Sequence, residues 1–129
     1  MKTYRFNILV RPEHLDDLHH VNNVQYLEWV QRISKEHWQK LTRPEWDSQY
    51  VWVVRSHLIT YHHPAVLGDK LTVVTHVKTA RGAQSERHVQ ITLEGTETLV
   101  VTCVTHWVLL DAQSGKPSRV PEEMIRALE

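Results

Sequence analysis

The chain has 129 residues and a mass of 15.2 kDa, so a single domain over residues 1–129 is expected to bury a core of its own. Fifteen Lys and Arg balance fifteen Asp and Glu, and this zero net charge lacks the basic excess of proteins that coat nucleic acid. The single cysteine, Cys103, excludes an internal disulfide and a cysteine-based zinc site. Without a secretion signal or a long apolar stretch, we expect a cytoplasmic protein with no membrane span.

The first predicted element is a β-strand over residues 4–10, where apolar and polar side chains alternate at first. Pro12 ends this pattern. Residues 13–21 are polar and rich in His and Asp, which predicts a loop between the strand and the next element.

Asn22 and Asn23 predict the start of a helix, because their side-chain oxygens accept hydrogen bonds from the free N–H groups of a first turn. From Val24 to Leu41, apolar residues recur at spacings of three or four, with charged and amide side chains largely on the other faces. This pattern predicts an amphipathic helix of about five turns. Pro44 is expected to end it.

The second half of the chain has almost no helix signal. Apolar-rich or alternating stretches favour strands over residues 50–63, 70–79, 85–94 and 97–110, and Pro121 is expected to start a short helix. Consecutive strands joined by short turns predict an antiparallel meander. Because only one long helix is available to cover one face, we expect the sheet to curl around it in an α+β fold.

Three segments together resemble those of hotdog-fold thioesterases. Residues 16–29, DDLHHVNNVQYLEW, resemble the LDxNxHVNNxxYxxW segment of acyl-ACP thioesterases. They also resemble, more loosely, the DxDxxGxxxxxNY segment of 4-hydroxybenzoyl-CoA and related acyl-CoA thioesterases. Residues 61–69, YHHPAVLGD, resemble the YxxPAxxGD turn of the family, and residues 115–121, GKPSRVP, resemble its GKPxRIP ending. The segments follow one another in the order of the family along essentially the whole chain.

The resemblance implies a hotdog fold, in which an antiparallel sheet of about five strands wraps around one long central helix. It also implies hydrolysis of an acyl thioester to a free acid and a thiol. The catalytic carboxylate of the family falls on Asp16, and the histidine of the plant-type motif falls on His20. Leu18 stands where plant-type enzymes have an asparagine, so the plant-type catalytic set is incomplete in this chain.

These residues suit thioester hydrolysis, which needs a nucleophile for the carbonyl carbon and a stabiliser for the developing oxyanion. Asp16 is expected to attack directly or to act as a general base on water, and both alternatives stay open. The N–H groups and the positive dipole end around Asn22, Asn23 and Val24 predict an oxyanion hole. His20 is expected to orient water or Asp16, and Asn22 either takes part or only caps the helix.

The remaining candidate residues are expected to bind substrate. They are Val24 and Tyr26 near the helix start, His62 and His63 after the second strand, and Lys78, Arg81 and Arg87 around a hairpin turn. Tyr26 fits core packing better than catalysis. The two histidines are candidates to reach the active site of a partner subunit, and the three cations are candidates to bind the phosphates of CoA.

The histidine content and the sheet edges lead to two further expectations. The ten His include two adjacent pairs, and adjacent residues do not suit one metal ion, so we expect neither a metal nor a cofactor. Cys103 lies in an apolar strand and is expected to be a core residue. A sheet around one helix leaves strand edges open, and family members pair these edges in a dimer. We therefore expect a homodimer or a homotetramer with a shared active site.

Three functions stay open for such a chain. The favoured one is an acyl-CoA thioesterase. An acyl-ACP thioesterase is supported by the HVNN segment but not by the length, because the plant enzymes carry two hotdog units. The leucine at position 18 keeps open a non-catalytic protein that binds or senses an acyl thioester. The identity of the acyl group is not encoded in any single motif.

Overall fold

Five antiparallel strands form one sheet in the computed structural model, which describes residues 2–129. The strands are β1 (Thr3–Leu9), β2 (Tyr50–Tyr61), β3 (Lys70–Arg81), β4 (Gln84–Leu93) and β5 (Leu99–Asp111). The helices are α1 (Asn23–Leu41), α2 (Pro44–Gln49) and α3 (Glu122–Leu128), and a short 3-10 turn spans Pro12–His14. The predicted α+β fold, with five strands and one long helix, is confirmed.

Helix α1 begins where the pair of asparagines predicts. Asn22 is its N-cap, and Asn22 Oδ1 accepts a hydrogen bond of 2.9 Å from the Val24 N–H. The side chains that α1 buries recur every three or four residues, and they are Tyr26, Trp29, Val30, Ile33, Ser34 and His37. The helix ends at Leu41, as predicted. Pro44 then begins α2, which the sequence pattern did not predict, because a proline at the first helical position loses no hydrogen bond.

The strand order in the sheet is β1-β3-β4-β5-β2. The predicted meander is confirmed for β3 to β5 and is wrong for β2, which pairs with β5 at the far edge. In a continuous meander β2 would pair with β3, but β1 occupies that edge of β3. The connection over residues 62–69 instead crosses the start of α1, where the Val21 N–H donates to the Ala65 carbonyl at 2.9 Å and His20 bridges to Val66. This crossover brings the segment after β2 against the predicted active-site loop.

Two apolar clusters form the core, one between the first half of α1 and the sheet and the other between the sheet and the short helices α2 and α3. The cluster around the first half of α1 includes Trp29, Val30, Ile33, Leu71, Val73, Val89, Ile91 and Cys103, and the other includes Trp46, Val77, Leu109, Val120, Met124 and Leu128. Six buried polar residues belong to neither cluster, and they are Ser34, His37, Thr75, Ser85, Arg87 and Thr105. Along β3, Thr75 lies between Val73 of the first cluster and Val77 of the second. Arg87 hydrogen-bonds to His37 and Thr75 and pairs with Thr105 across β4 and β5, so these four residues form a polar layer in the core.

Candidate active site

The predicted active-site loop is folded back by its own backbone. Leu15 and Val21 form an antiparallel bridge, and the Asp16 N–H donates to the His20 carbonyl at 2.8 Å. The His19 N–H closes a tighter turn on the Asp16 carbonyl at 3.0 Å. This turn requires a φ of 63° at His19, in the left-handed region that residues other than glycine rarely adopt. The turn holds Asp16 close to the start of α1.

The Asp16 carboxylate has one anchored oxygen and one free oxygen. Oδ1 accepts hydrogen bonds from the Leu18 N–H at 2.9 Å and from the His20 N–H at 3.2 Å. Oδ2 accepts no hydrogen bond from any group in residues 2–129. Since the side chain is only half-buried, this second oxygen is accessible to a substrate or to a water molecule.

Of the backbone donors predicted for the oxyanion, the fold leaves one unused. The Asn22 N–H donates to the His14 carbonyl at 2.9 Å, and the Val24 N–H donates to the Asn22 side chain. The Asn23 N–H, at the first position of α1, has no acceptor within the described part of the chain. An unpaired N–H at a helix N-terminus lies at the positive end of the helix dipole. The Asn23 N–H is therefore the donor that this geometry offers to an oxyanion.

Tyr26 lies behind this site, within the core. Its side chain is 3% exposed and packs against Trp29 and Tyr61, with ring centroids 5.7 and 5.9 Å apart. Burial, with smaller contributions from the charges of Asp69 and Asp16, raises the pKa of Tyr26 to about 12. The phenol is therefore neutral at physiological pH, and its surroundings agree with the core-packing interpretation.

The three candidate histidines are exposed, and none of their rings hydrogen-bonds to the Asp16 carboxylate. His20 contacts Asp16 only through its backbone N–H and carbonyl. The His62 ring shares a hydrogen bond of 2.9 Å with Thr102 Oγ1, and the His63 ring donates to the carbonyl of the next residue at 2.7 Å. All three lie near the start of α1, because the connection after β2 crosses there. A role for His62 or His63 in the site of a partner subunit stays a prediction.

The three candidate cations do not form one cluster. Lys78 and Arg81 are exposed on β3, and Lys78 Nζ lies 3.9 Å from a carboxylate oxygen of Glu86. Arg87 is 4% exposed and lies between β4 and α1, where its Nη1 donates to His37 Nδ1 at 2.9 Å. Arg87 therefore does not share a surface with the other two cations.

A signal for the burial of Arg87 is present in the sequence. Side chains alternate between the two faces of a strand, which places Arg87 on the same face of β4 as Val89 and Ile91. Those two apolar residues indicate an inward face. Its charge alone would predict an exposed position for Arg87, but the alternating pattern of β4 predicts the buried position that the structure has. No comparable signal predicts the left-handed conformation of His19.

Comparison with known proteins identifies the family. Residues 10–128 match the model of the thioesterase-like superfamily. The chain belongs to the thioesterase-like superfamily. This thioesterase is 30% identical over 124 residues to the long-chain acyl-CoA thioesterase FadM of Escherichia coli K12, covering 95% of this chain and 94% of that protein.

Two solved structures agree with this family. The crystal structure of YbaW, a probable thioesterase from Escherichia coli, is 30% identical to the chain with a TM-score of 0.85, and the match covers 97% of this chain and 96% of that one. A 1,4-dihydroxy-2-naphthoyl-CoA thioesterase from Synechocystis shares the fold at 17% identity, with a TM-score of 0.84 and coverage of 98% and 96%. The predicted hotdog fold and the predicted class, a thioester hydrolase, are confirmed.

Three further features of this thioesterase concern membranes, metals and its cysteine. No helix within residues 2–129 combines the length and the apolar character needed to cross a bilayer. The same residues contain no group of three or more His, Cys, Asp or Glu side chains suited to a metal ion. Cys103 is buried, and burial raises the pKa of its thiol, as expected for a core residue.

Proposed function

We propose that this chain is an acyl-CoA thioesterase in which Asp16 is the reacting carboxylate. One observation carries the proposal, namely that a free carboxylate oxygen, Asp16 Oδ2, and a free helix N-terminal donor, the Asn23 N–H, belong to one loop–helix unit. The relative FadM, 30% identical over nearly the whole chain, is named a long-chain acyl-CoA thioesterase. That name supports a CoA ester as the substrate.

In the proposed reaction the thioester oxygen accepts a hydrogen bond from the Asn23 N–H. As a nucleophile, Asp16 Oδ2 forms a mixed anhydride and expels the CoA thiolate, and water then releases the acid. As a general base, Asp16 Oδ2 takes a proton from the water that attacks the carbonyl carbon. Negative charge develops on the same oxygen in both routes, and one donor to such an oxyanion is worth about 3–4 kcal/mol.

The leucine that replaces the plant-type asparagine is compatible with hydrolysis. The Leu18 side chain is 74% exposed, and the Leu18 contact with Asp16 Oδ1 is made by its backbone N–H. A backbone donor is present whatever the side chain at position 18. The anchored carboxylate therefore does not depend on an asparagine, which favours catalysis over a purely binding function.

A dimer is the proposed active form. β2 is a 12-residue edge strand, and its outer edge has no partner strand within residues 2–129. Its apolar residues Val51, Val53 and Leu58 are exposed, as are Leu18 and Val24 beside the proposed site. Exposed apolar side chains along an open edge and around a reacting group fit a second copy of the chain that covers both.

Replacing Asp16 by Asn tests the proposed carboxylate. In a thiol-release assay with a panel of acyl-CoA esters, the wild type should turn over and Asp16→Asn should not, since an amide is neither a nucleophile nor a base here. Asp17→Asn is the matched control, because it removes the same charge from the adjacent, exposed position. Turnover that survives in Asp16→Asn, or an equal loss in both variants, contradicts the assignment. If the protein hydrolyses ACP esters and no CoA ester, the proposed CoA carrier is wrong and the proposed role of Asp16 is retained.

A further inference from the structure

A cavity of about 420 Å³ lies between the second half of α1 and strands β2, β4 and β5. Its apolar wall includes three tryptophans, Trp38, Trp52 and Trp107. Arg87, Ser85 and Lys35 are among its polar residues, and no residue that lines it within the described chain is acidic. A cavity of this size accommodates a small organic molecule.

One side of this cavity carries a buried positive charge. Arg87 is 4% exposed, and no Asp or Glu of residues 2–129 forms a salt bridge with it. Burial lowers the pKa of Arg87 to about 10, which leaves the guanidinium protonated at neutral pH. A buried charge without a counter-ion is unfavourable until another group neutralises it.

The protein uses only one of the three guanidinium nitrogens of Arg87. Nη1 donates to His37 Nδ1 at 2.9 Å and to Thr75 Oγ1 at 3.1 Å, which occupies both of its hydrogens. Nη2 and Nε have no acceptor among residues 2–129. Their N–H groups form the planar fork that binds both oxygens of a carboxylate. His37 cannot supply the missing negative charge, because it acts as a neutral acceptor.

Other unused donors lie around the same cavity. Ser85, two residues before Arg87 on β4, has a hydroxyl with no hydrogen-bond partner in the described chain, and it lines the cavity. Lys35 is exposed on the α1 side of the cavity and adds a second positive charge. The cavity therefore combines apolar walls with an excess of donors.

We propose that this cavity binds a carboxylate carried on an apolar body. The two carboxylate oxygens accept from the Nε–Nη2 fork of Arg87, and the body packs against the three tryptophans. The bound anion supplies the counter-ion that Arg87 lacks. The aromatic walls distinguish such a ligand from an inorganic anion, which has no apolar body to bury.

The carboxylate has two possible sources. It is either the far end of an acyl substrate or a free organic acid. Ser34 of the cavity lies about 16 Å along α1 from Asn23, so the first source requires an extended acyl chain that follows the helix. The first source rests on the proposed function, whereas the second does not.

Binding of free decanoate tests the site without turnover. Titration calorimetry and tryptophan emission of the wild-type protein should show saturable binding, and Arg87→Met should weaken it by roughly tenfold to a hundredfold, since charge-assisted hydrogen bonds are lost. Decanol, which lacks the carboxylate, should bind both proteins alike. Ser85→Leu keeps Arg87 and places a larger side chain two residues away on the same face of β4, so it should also weaken decanoate binding. This second variant tests the site if Arg87→Met fails to fold.

Kinetics distinguish the two sources. We would compare kcat/KM for an ω-carboxyacyl-CoA with kcat/KM for the unsubstituted acyl-CoA of equal length. If the acyl end occupies the cavity, Arg87→Met lowers the preference for the ω-carboxy ester by roughly tenfold or more. If a free acid is the ligand, this preference is unchanged while decanoate binding is lost. Absence of decanoate binding to the wild type, together with an unchanged preference in Arg87→Met, would overturn the proposal. The calorimetric measurement of decanoate binding does not depend on hydrolysis, so it stays valid if the proposed function is wrong.

Discussion

Asp16 and Asp17 are adjacent carboxylates with different surroundings. Asp16 Oδ1 accepts hydrogen bonds from two backbone N–H groups of its own loop, whereas Asp17 is exposed. The difference arises from the backbone, because the left-handed turn at His19 directs the N–H groups of Leu18 and His20 towards Asp16. An anchored carboxylate loses little orientational freedom when a substrate arrives, which suits Asp16 for the chemical step.

Asn23→Pro removes the one free N–H at the start of α1 and leaves the helix intact. Proline is compatible with a first helical position, and Asn22, with φ −64° and ψ 138°, has the conformation that a residue before proline prefers. We expect thermal unfolding close to that of the wild type and a kcat lowered about 100-fold to 1000-fold, the effect of losing one oxyanion donor. Steady-state kinetics with an acyl-CoA ester measure this effect.

Asn23→Ala is the control for that variant, because it changes the same side chain and keeps the N–H. Its kcat should stay near the wild-type value. If the proline and alanine variants have equal rates, the backbone of Asn23 does not stabilise the oxyanion.

Different parts of helix α1 contact the proposed reaction site, the apolar core and the cavity. Its first turn offers the Asn23 N–H to the proposed reaction, and its second half forms one side of the cavity beside Arg87. Between these ends, Trp29, Val30 and Ile33 anchor the helix on the sheet. Apolar burial fixes the position of the helix on the sheet. Polar groups at its start can therefore face the proposed reaction site, and polar groups in its second half can face the cavity.

Replacing the N-cap separates its structural role from a chemical one. Asn22→Ala removes the acceptor for the Val24 N–H and should lower the free energy of unfolding by about 1 kcal/mol. Asn22→Ser keeps a capping oxygen, so both its stability and its kcat/KM should stay near the wild type if Asn22 acts only as a cap. Denaturant unfolding and kinetics provide the two readouts. A stable Asn22→Ser variant with reduced kcat/KM would assign a chemical role to the amide.

The open edge at β2 predicts how copies of the chain associate. We expect light scattering at micromolar concentration to give at least twice the chain mass of 15.2 kDa. Leu58→Lys places a charge on the exposed apolar face of β2 and should shift the protein towards a monomer with reduced turnover. Leu9→Lys makes the same change at an exposed leucine on the opposite edge strand, β1, and should leave the mass unchanged. A monomeric wild type would contradict both the dimer and a shared site.

The polar layer makes the stability of the molecule depend on pH. Burial, followed by the positive charges of Arg87, His76 and Lys2, lowers the pKa of His37 from 6.5 to about 4, and Tyr4 stacks on its ring. His37 is therefore neutral in the folded chain at pH values where it is protonated in the unfolded chain. Since the unfolded state binds more protons, the free energy of unfolding decreases as the pH falls from 6.5 towards 4.

His37→Gln tests this dependence, because glutamine keeps an acceptor for Arg87 and does not titrate. Denaturant unfolding at a series of pH values should show a smaller loss of stability between pH 6.5 and 4 than in the wild type. The slope should not vanish, since burial also lowers the pKa of His57 and of His76. His20→Gln, at an exposed position, should follow the wild-type curve. A His37→Gln curve parallel to the wild type would refute the role of His37.

Local signals in the sequence are enough for much of the fold. The cap at Asn22, the apolar spacing up to Leu41 and the alternation in β3, β4 and β5 each depend on residues close together in the chain, so each predicts its element correctly. The resemblance over residues 16–29 likewise predicts the family, because its motif is contiguous. Asp16 and Asn23 enter the candidate site for the same reason.

Tertiary structure alone decides which groups meet and which stay unpaired. The place of β2 depends on which sheet edges are free, and this follows from pairings between residues distant in sequence. Only the folded loop shows that Asp16 keeps one free oxygen and that Asn23 keeps the free N–H. The charge of Arg87 is plain in the sequence, but its lack of a counter-ion is a property of the core around it. Hydrogen-bond partners and burial are set by distance in space, and spacing along the chain does not encode that distance.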